Sequence, residues 1–147
     1  MKGGGEPSRR LLLTSLLERP VLCAWIVGAG VIHVALAATP LGGWRCPVHE
    51  ATGLPCPGCG LGRAAVLLLR GGAREAMHLH AFGGLLLLTL GVLAAGLWPG
   101  RGGEWVRTVV RRIEERTWLV PVLLAGLVIY WLARFALDAA GFRALVV

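Results

Sequence analysis

An all-α membrane protein with about three transmembrane helices is predicted by three features of the sequence: its apolar content, the blocking of that content, and the placement of its charges. Of the 147 residues, 56% are hydrophobic and 16% are charged, and the mean hydropathy is +0.69. A chain of this size folds as one unit, and a single small core has no room for so much apolar surface. The bilayer is the solvent that accommodates it. Fifteen Lys and Arg against eight Asp and Glu leave a net charge of +7. The basic residues flank apolar blocks, so anionic lipid headgroups account for them and no nucleic-acid partner is expected. No Gly-rich phosphate loop followed by Lys-Ser or Lys-Thr occurs, and the sole aspartate is Asp138, which argues against P-loop nucleotide chemistry and a Ser-His-Asp hydrolase.

The elements follow in order. Residues 1–20 form a basic tail carrying Lys2, Arg9, Arg10 and Arg19 and ending at Pro20, a residue favoured in the first turn of a helix. Residues 21–39 contain no Asp, Glu, Lys or Arg, and a helix of that length covers roughly the 30 Å hydrocarbon core, giving a first span. Its end, Ala35-Leu36-Ala37-Ala38, has the small residues of a signal cleavage site, but the long charged region before it favours a retained anchor. Residues 40–80 hold a cysteine loop and a short helix. A second uncharged block, 81–98, ends at Trp98-Pro99-Gly100, an interfacial aromatic followed by helix-stopping residues. In the connector 99–117, Trp105, Val106, Val109, Val110 and Ile113 recur at helical spacing while Arg107, Arg111, Arg112, Glu114 and Glu115 take the other faces, the pattern of an amphipathic helix on a membrane surface. A third span, 118–137, carries Tyr130, Trp131 and Arg134, whose long stem is suited to snorkelling. Residues 138–147 are a C-terminal tail. Gly28, Gly30, Gly83, Gly84, Gly91, Gly96 and Gly126 either let the spans approach closely or reflect composition alone.

Counting basic residues by side predicts a cytoplasmic N-terminus and an inner-membrane location, with the loop from Pro40 to His80 and the C-terminus exoplasmic. Cys23 then lies at the opposite end of the first span from the other three cysteines.

The chemistry is concentrated between Cys46 and Arg63. Cys56 and Cys59 have the two-residue spacing shared by redox dithiols and zinc knuckles, and Cys46 with His49 repeats it. The set Cys46, His49, Cys56 and Cys59 suits a tetrahedral zinc site. A second reading makes Cys56 and Cys59 a catalytic dithiol with Cys46 as the resolving thiol. The segment Gly60 to Leu69 reads as a helix starting near Cys59, whose N-terminal dipole, together with Arg63, lowers a thiol pKa. The leading reading leaves the cysteines as an inert exoplasmic staple shaping a structural or interaction module, with the dithiol and the zinc site as its alternatives. Arg70, Arg74 and Glu75 would be costly at mid-bilayer, so the short helix is expected at the interface rather than re-entrant. His49, His78 and His80 share the cysteine side, and His33 lies within about two turns of that end of the first span. They are candidates for ligation, proton relay or a pH-sensitive contact.

The motifs Cys46-Pro47, Thr52-Gly53, Cys56-Pro57-Gly58-Cys59-Gly60 and Arg63, followed by Arg70-Gly71 and Ala76, resemble the small bacterial membrane proteins of domain-of-unknown-function family twenty-seven fifty-two. Gly62 stands where that family often has Thr, and His80-Ala81 where it often has Asn-Pro. The resemblance implies a small multi-helix membrane protein and brings no activity, substrate or cofactor. The sequence therefore predicts an integral membrane protein with a Cys-rich exoplasmic loop, in contact with anionic lipids and with a membrane-protein partner or a second copy of itself. Zinc is the one cofactor its residues suggest.

Overall fold

A computed structural model describes residues 12–40, 46–52 and 56–137, and the regular structure among the described residues is all helical, without strands. The tails before residue 12 and after residue 137 lie outside them. The helices are α1 (Leu12–Leu17), α2 (Pro20–Ala37), α3 (Pro47–Thr52), α4 (Leu61–Leu69), α5 (Ala73–Leu79), α6 (Gly83–Leu97), α7 (Arg101–Arg116) and α8 (Leu119–Leu137). As the sequence predicts, the architecture is all-α with two to three candidate spans. Helices α2 and α8 are each long and apolar enough to cross a membrane, and α5 with α6 pass the same test as a pair bent by 103°.

The apolar faces of α2 and α8 stay largely uncovered. Trp25 and Ile32 on α2 and Ile129 and Leu132 on α8 are exposed, as helices bathed in lipid tails require. Two small cores hold the bundle together instead. At one end Leu17, Cys23 and Leu93 cluster with Val27, Leu97 and Val110, joining α1, α2, α6 and α7. At the other, Val34, Ala65 and Val66 pack with Ala37, Leu86, Leu87 and Leu90, joining α2, α4 and α6. Helices α2 and α6 therefore run antiparallel, with Cys23 at the end remote from the three other cysteines.

Helix α6 is shorter than the 81–98 block suggests. Its 15 residues cover roughly 22 Å at 1.5 Å per residue, because the backbone is extended at His80 and again at Trp98. Residues at both ends of helix α4 reach the last turns of α2. A Cβ on Gly62 would fall 2.8 Å from His33 Nε2, and the Arg70 guanidinium reaches the Ala38 carbonyl at 3.5 Å.

The glycines divide into two groups. Gly30 faces Leu90, Gly96 faces Leu17, and Gly83 sits against Ala64, where a Cβ would meet the Ala64 Cβ at 2.8 Å and its backbone carbon at 3.1 Å. Gly28 and Gly91 face open space. Close approach therefore explains the first group, and composition suffices for the second.

At the α1 end, buried Glu114 of α7 fixes the order of the helices. Its carboxylate accepts from the Leu13 N–H at 3.0 Å and from the Thr14 N–H and hydroxyl, each at 2.9 Å. These are charge-assisted bonds, and they satisfy free N–H groups at the start of α1. Arg107 in turn donates to the Gly96 carbonyl at 2.6 Å, capping the end of α6.

Replacing Gly83 by Val should destabilise the bundle by about 1–3 kcal/mol through overpacking. Gly91→Ala should raise stability by roughly 0.5–1 kcal/mol through helix propensity. Thermal unfolding in detergent followed by helical circular dichroism checks both, and equal effects would contradict the packing described.

Candidate functional site

Three thiols from two chain segments meet at the end of the bundle opposite α1. Cys46 immediately precedes α3, and its carbonyl accepts from the Glu50 N–H at 3.0 Å as the helix starts. Cys56 and Cys59 are brought together by a turn in which the Cys59 N–H donates to the Cys56 carbonyl at 3.0 Å. The chain leaves that turn through Gly60, whose φ of +87° is a left-handed value that a side chain disfavours. The Sγ atoms of Cys46, Cys56 and Cys59 all lie within 4.8 Å of one another. The Cys59 thiol donates to Cys56 Sγ at 3.2 Å, and the Cys56 N–H donates to Cys59 Sγ, also at 3.2 Å.

The three sulfurs are not equivalent. Burial pushes the Cys59 thiol up to about 12, with the hydrogen bond to Cys56 adding to the effect. Burial also acts to raise Cys46, but the backbone N–H groups of His49 and Val48, with hydrogen bonds from Cys56 and Cys59, outweigh it and hold that thiol below its ordinary value. The sequence places the helix-stabilised thiolate at Cys59. The structure places it at Cys46, because α4 begins only at Leu61 and Cys59 is buried in the turn.

The turn is held from behind by His80, which is 2% exposed. Its Nε2–H donates to the Pro57 carbonyl at 2.9 Å, and its Nδ1 accepts from the Phe82 N–H at 3.2 Å. Both ring nitrogens are thus engaged, which selects the neutral Nε2–H tautomer. The ring packs against Tyr130 at a centroid distance of 5.3 Å. The Tyr130 hydroxyl accepts from the Ala81 N–H at 3.3 Å, while Arg134 donates to the Leu79 carbonyl at 2.6 Å and to Tyr130 Oη at 3.2 Å. Arg134 therefore caps the end of α5 from α8, where the sequence suggests only a snorkelling cation. Pro57, Tyr130 and the Leu79 carbonyl belong to the site's support without any local sequence signal, since these contacts join residues up to 55 apart in the chain.

The other sequence candidates are spread around this centre. His49 lies in the first turn of α3, and its Nδ1 is buried with no hydrogen-bond partner among the described residues. It does not join the tight sulfur group, whose members are Cys46, Cys56 and Cys59. His33 fills the space that a side chain at Gly62 would need. Arg63 is half-buried in the first turn of α4, and His78 is exposed at the end of α5. Cys23 is buried beside Leu93 at the far end.

The family model described as protein of unknown function (DUF2752) matches residues 46–94. The match agrees with the resemblance read from the sequence and covers this segment, about a third of the chain. It takes in the three clustered cysteines, His80 and Gly83, while Tyr130 and Arg134 lie outside it. The DUF2752 description carries no activity, substrate or cofactor. No curated protein and no solved structure gives a match.

The unequal thiols give an ordered reactivity. A thiol with a lowered pKa ionises earlier as pH rises, so in the reduced, metal-free protein Cys46 should be alkylated ahead of Cys59. Cys59 should react last, its thiol remaining protonated until about 12. Iodoacetamide labelling across a pH series with peptide mass analysis checks this, and Cys59 labelled ahead of Cys46 would contradict it.

Proposed function

We propose that this chain is a small integral membrane protein whose Cys46, Cys56 and Cys59 bind a thiophilic metal ion, zinc being the best fit, at the membrane end opposite α1. The observation that carries the proposal is the meeting of three Sγ atoms from two segments within 4.8 Å. Sulfurs around a tetrahedral zinc sit about 3.8 Å apart, given zinc–sulfur bonds of about 2.3 Å. That value falls between the 3.2 Å of the Cys56–Cys59 pair and the 4.8 Å limit of the group. His49 is the donor for the fourth position: it follows Cys46 by three residues, and its buried Nδ1 has no hydrogen-bond partner among the described residues. A ring movement of His49 completes a Cys3His set. The metal supplies charge that keeps all three sulfurs as thiolates, including Cys59, and so fixes the loop. The exoplasmic placement of this end and a cytoplasmic N-terminus are part of the same proposal and rest on the distribution of basic residues.

A thiol-disulfide reading has one observation in its favour, the 3.2 Å approach of Cys56 and Cys59. In that reading burial makes Cys59 the attacked partner rather than the nucleophile, a role that falls to Cys46, whose thiol is held below its ordinary value.

Full-length protein purified in detergent without chelator should carry about one zinc per chain. Cys46→Ser, Cys56→Ser and Cys59→Ser should each lose it, while Cys23→Ala retains it. His49→Ala should weaken binding by roughly 10–100-fold without abolishing it. Elemental analysis combined with intact mass reads all of these. Unchanged metal content in Cys46→Ser would overturn the three-sulfur site, and a mass lower by a pair of hydrogens with no metal would favour the disulfide reading.

A further inference from the structure

At the end of the bundle remote from the cysteines, α1 and α7 enclose an open cleft of about 360 Å³. Two contacts keep it preformed. Buried Glu114 is committed to the start of α1 through Leu13 and Thr14, and Leu17 is seated against Gly96 of α6. Between these anchors the walls carry both signs of charge: Glu18, just after α1, and Glu104 from α7, with Arg107 and Arg111. These groups do not neutralise one another. Among the described residues the Glu18 and Glu104 carboxylates have no hydrogen-bond or ion-pair partner. Arg107 is turned to the Gly96 carbonyl, and Arg111 stands 3.9 Å from exposed Glu115. A cleft that holds two carboxylates and two guanidiniums apart is complementary to a ligand with a cation and an anion a few atoms from each other.

The level of the cleft narrows the ligand further. Trp98, at the end of α6, Trp105 of α7 and Trp118, before α8, are all at least 65% exposed. Trp98 and Trp105 flank the start of α7, close in sequence to the cleft residues Glu104 and Arg107, and Trp118 follows the end of the same helix. Exposed tryptophans grouped at one end of a helical membrane protein mark the headgroup level, where the ring is half apolar and half wet. At that level guanidinium forks meet phosphate, and carboxylates meet an ammonium that still has N–H groups to donate. A quaternary ammonium has none.

We propose that the α1–α7 cleft binds a phosphate–ammonium zwitterion of the phosphoethanolamine class, with the phosphate on Arg107 and Arg111 and the ammonium on Glu18 and Glu104. The site is independent of the cysteine centre and does not rest on its metal. The chemistry is shared by the headgroup of phosphatidylethanolamine and by free phosphoethanolamine, and the test separates the two.

The full-length protein in detergent is mixed with equal amounts of phosphatidylethanolamine, phosphatidylcholine and phosphatidylglycerol bearing identical acyl chains, and retained lipid is read by native mass spectrometry. Phosphatidylethanolamine should be retained roughly tenfold over the other two, the effect of one to two charge-assisted hydrogen bonds. Glu18→Gln combined with Glu104→Gln should bring it down to the phosphatidylcholine level, and Arg111→Gln should weaken both zwitterionic lipids. Arg112→Gln, a charge removed from the same helix outside the cleft, should preserve the preference. Unchanged helical circular dichroism shows that the variants are folded. Displacement of the lipid by free phosphoethanolamine identifies a soluble ligand, and retention in its presence identifies the lipid. Equal retention of the three lipids, preference for phosphatidylglycerol, or a preference that survives the double glutamate variant overturns the proposal.

Discussion

The hydrogen bond from buried His80 to the Pro57 carbonyl is the constraint on which the cysteine centre depends. Pro57 lies between the two cysteines of the turn, so holding its carbonyl fixes both sulfurs relative to the bundle. The other ring nitrogen accepts from Phe82 at the first residues of α6. One imidazole therefore joins the turn to the break between α5 and α6. A backbone break at this depth leaves carbonyl and N–H groups that neither helix can satisfy, and orphaned polar groups are costly away from water. The structure satisfies them from α8: Arg134 takes the Leu79 carbonyl and Tyr130 the Ala81 N–H. The third span thus acts as a support for a site to which it contributes no sulfur.

The two ends of the bundle solve similar problems with opposite charges. At the cysteine end a cation, Arg134, satisfies a free carbonyl at a helix C-terminus, and at the other end an anion, Glu114, satisfies free N–H groups at a helix N-terminus. Both agree in sign with the helix macrodipole. Between them the apolar contact is thin and relies on small residues, Gly83 on Ala64 above all. In lipid, where burying another aliphatic side chain gains little, close backbone packing and a few well-placed polar bonds carry the association. The segment shared with DUF2752 ends within α6, so the family portion contains the turn and its histidine clamp, and the Arg134 cap comes from outside it.

The spans α2 and α8 were legible because an uninterrupted apolar block of nearly twenty residues has few other uses. The meeting of Cys56 and Cys59 was legible from their spacing, and the amphipathic face of α7 from its period. The helices α3 and α5 were not, since each is under eight residues and sits in a segment rich in Gly, Pro and charge, where local preference alone does not favour a helix. The break that shortens α6 was hidden for a related reason. Nothing at His80-Ala81-Phe82 reads as a stop until the partners on Pro57 and Tyr130 are known. Glu114 looked like one more charge on a solvated helix face, because its partners lie about a hundred residues away. For Cys59 the place near a helix start is visible in the sequence, but the burial that raises its thiol is not.

The central claim is that three sulfurs from Cys46, Cys56 and Cys59 act as one ligand set. X-ray absorption at the zinc edge of the metal-loaded, full-length protein tests it most directly. The account predicts a shell of three sulfurs at about 2.3 Å with one nitrogen or oxygen at about 2.0–2.1 Å. A shell of nitrogen and oxygen alone, or one containing a single sulfur, would contradict it.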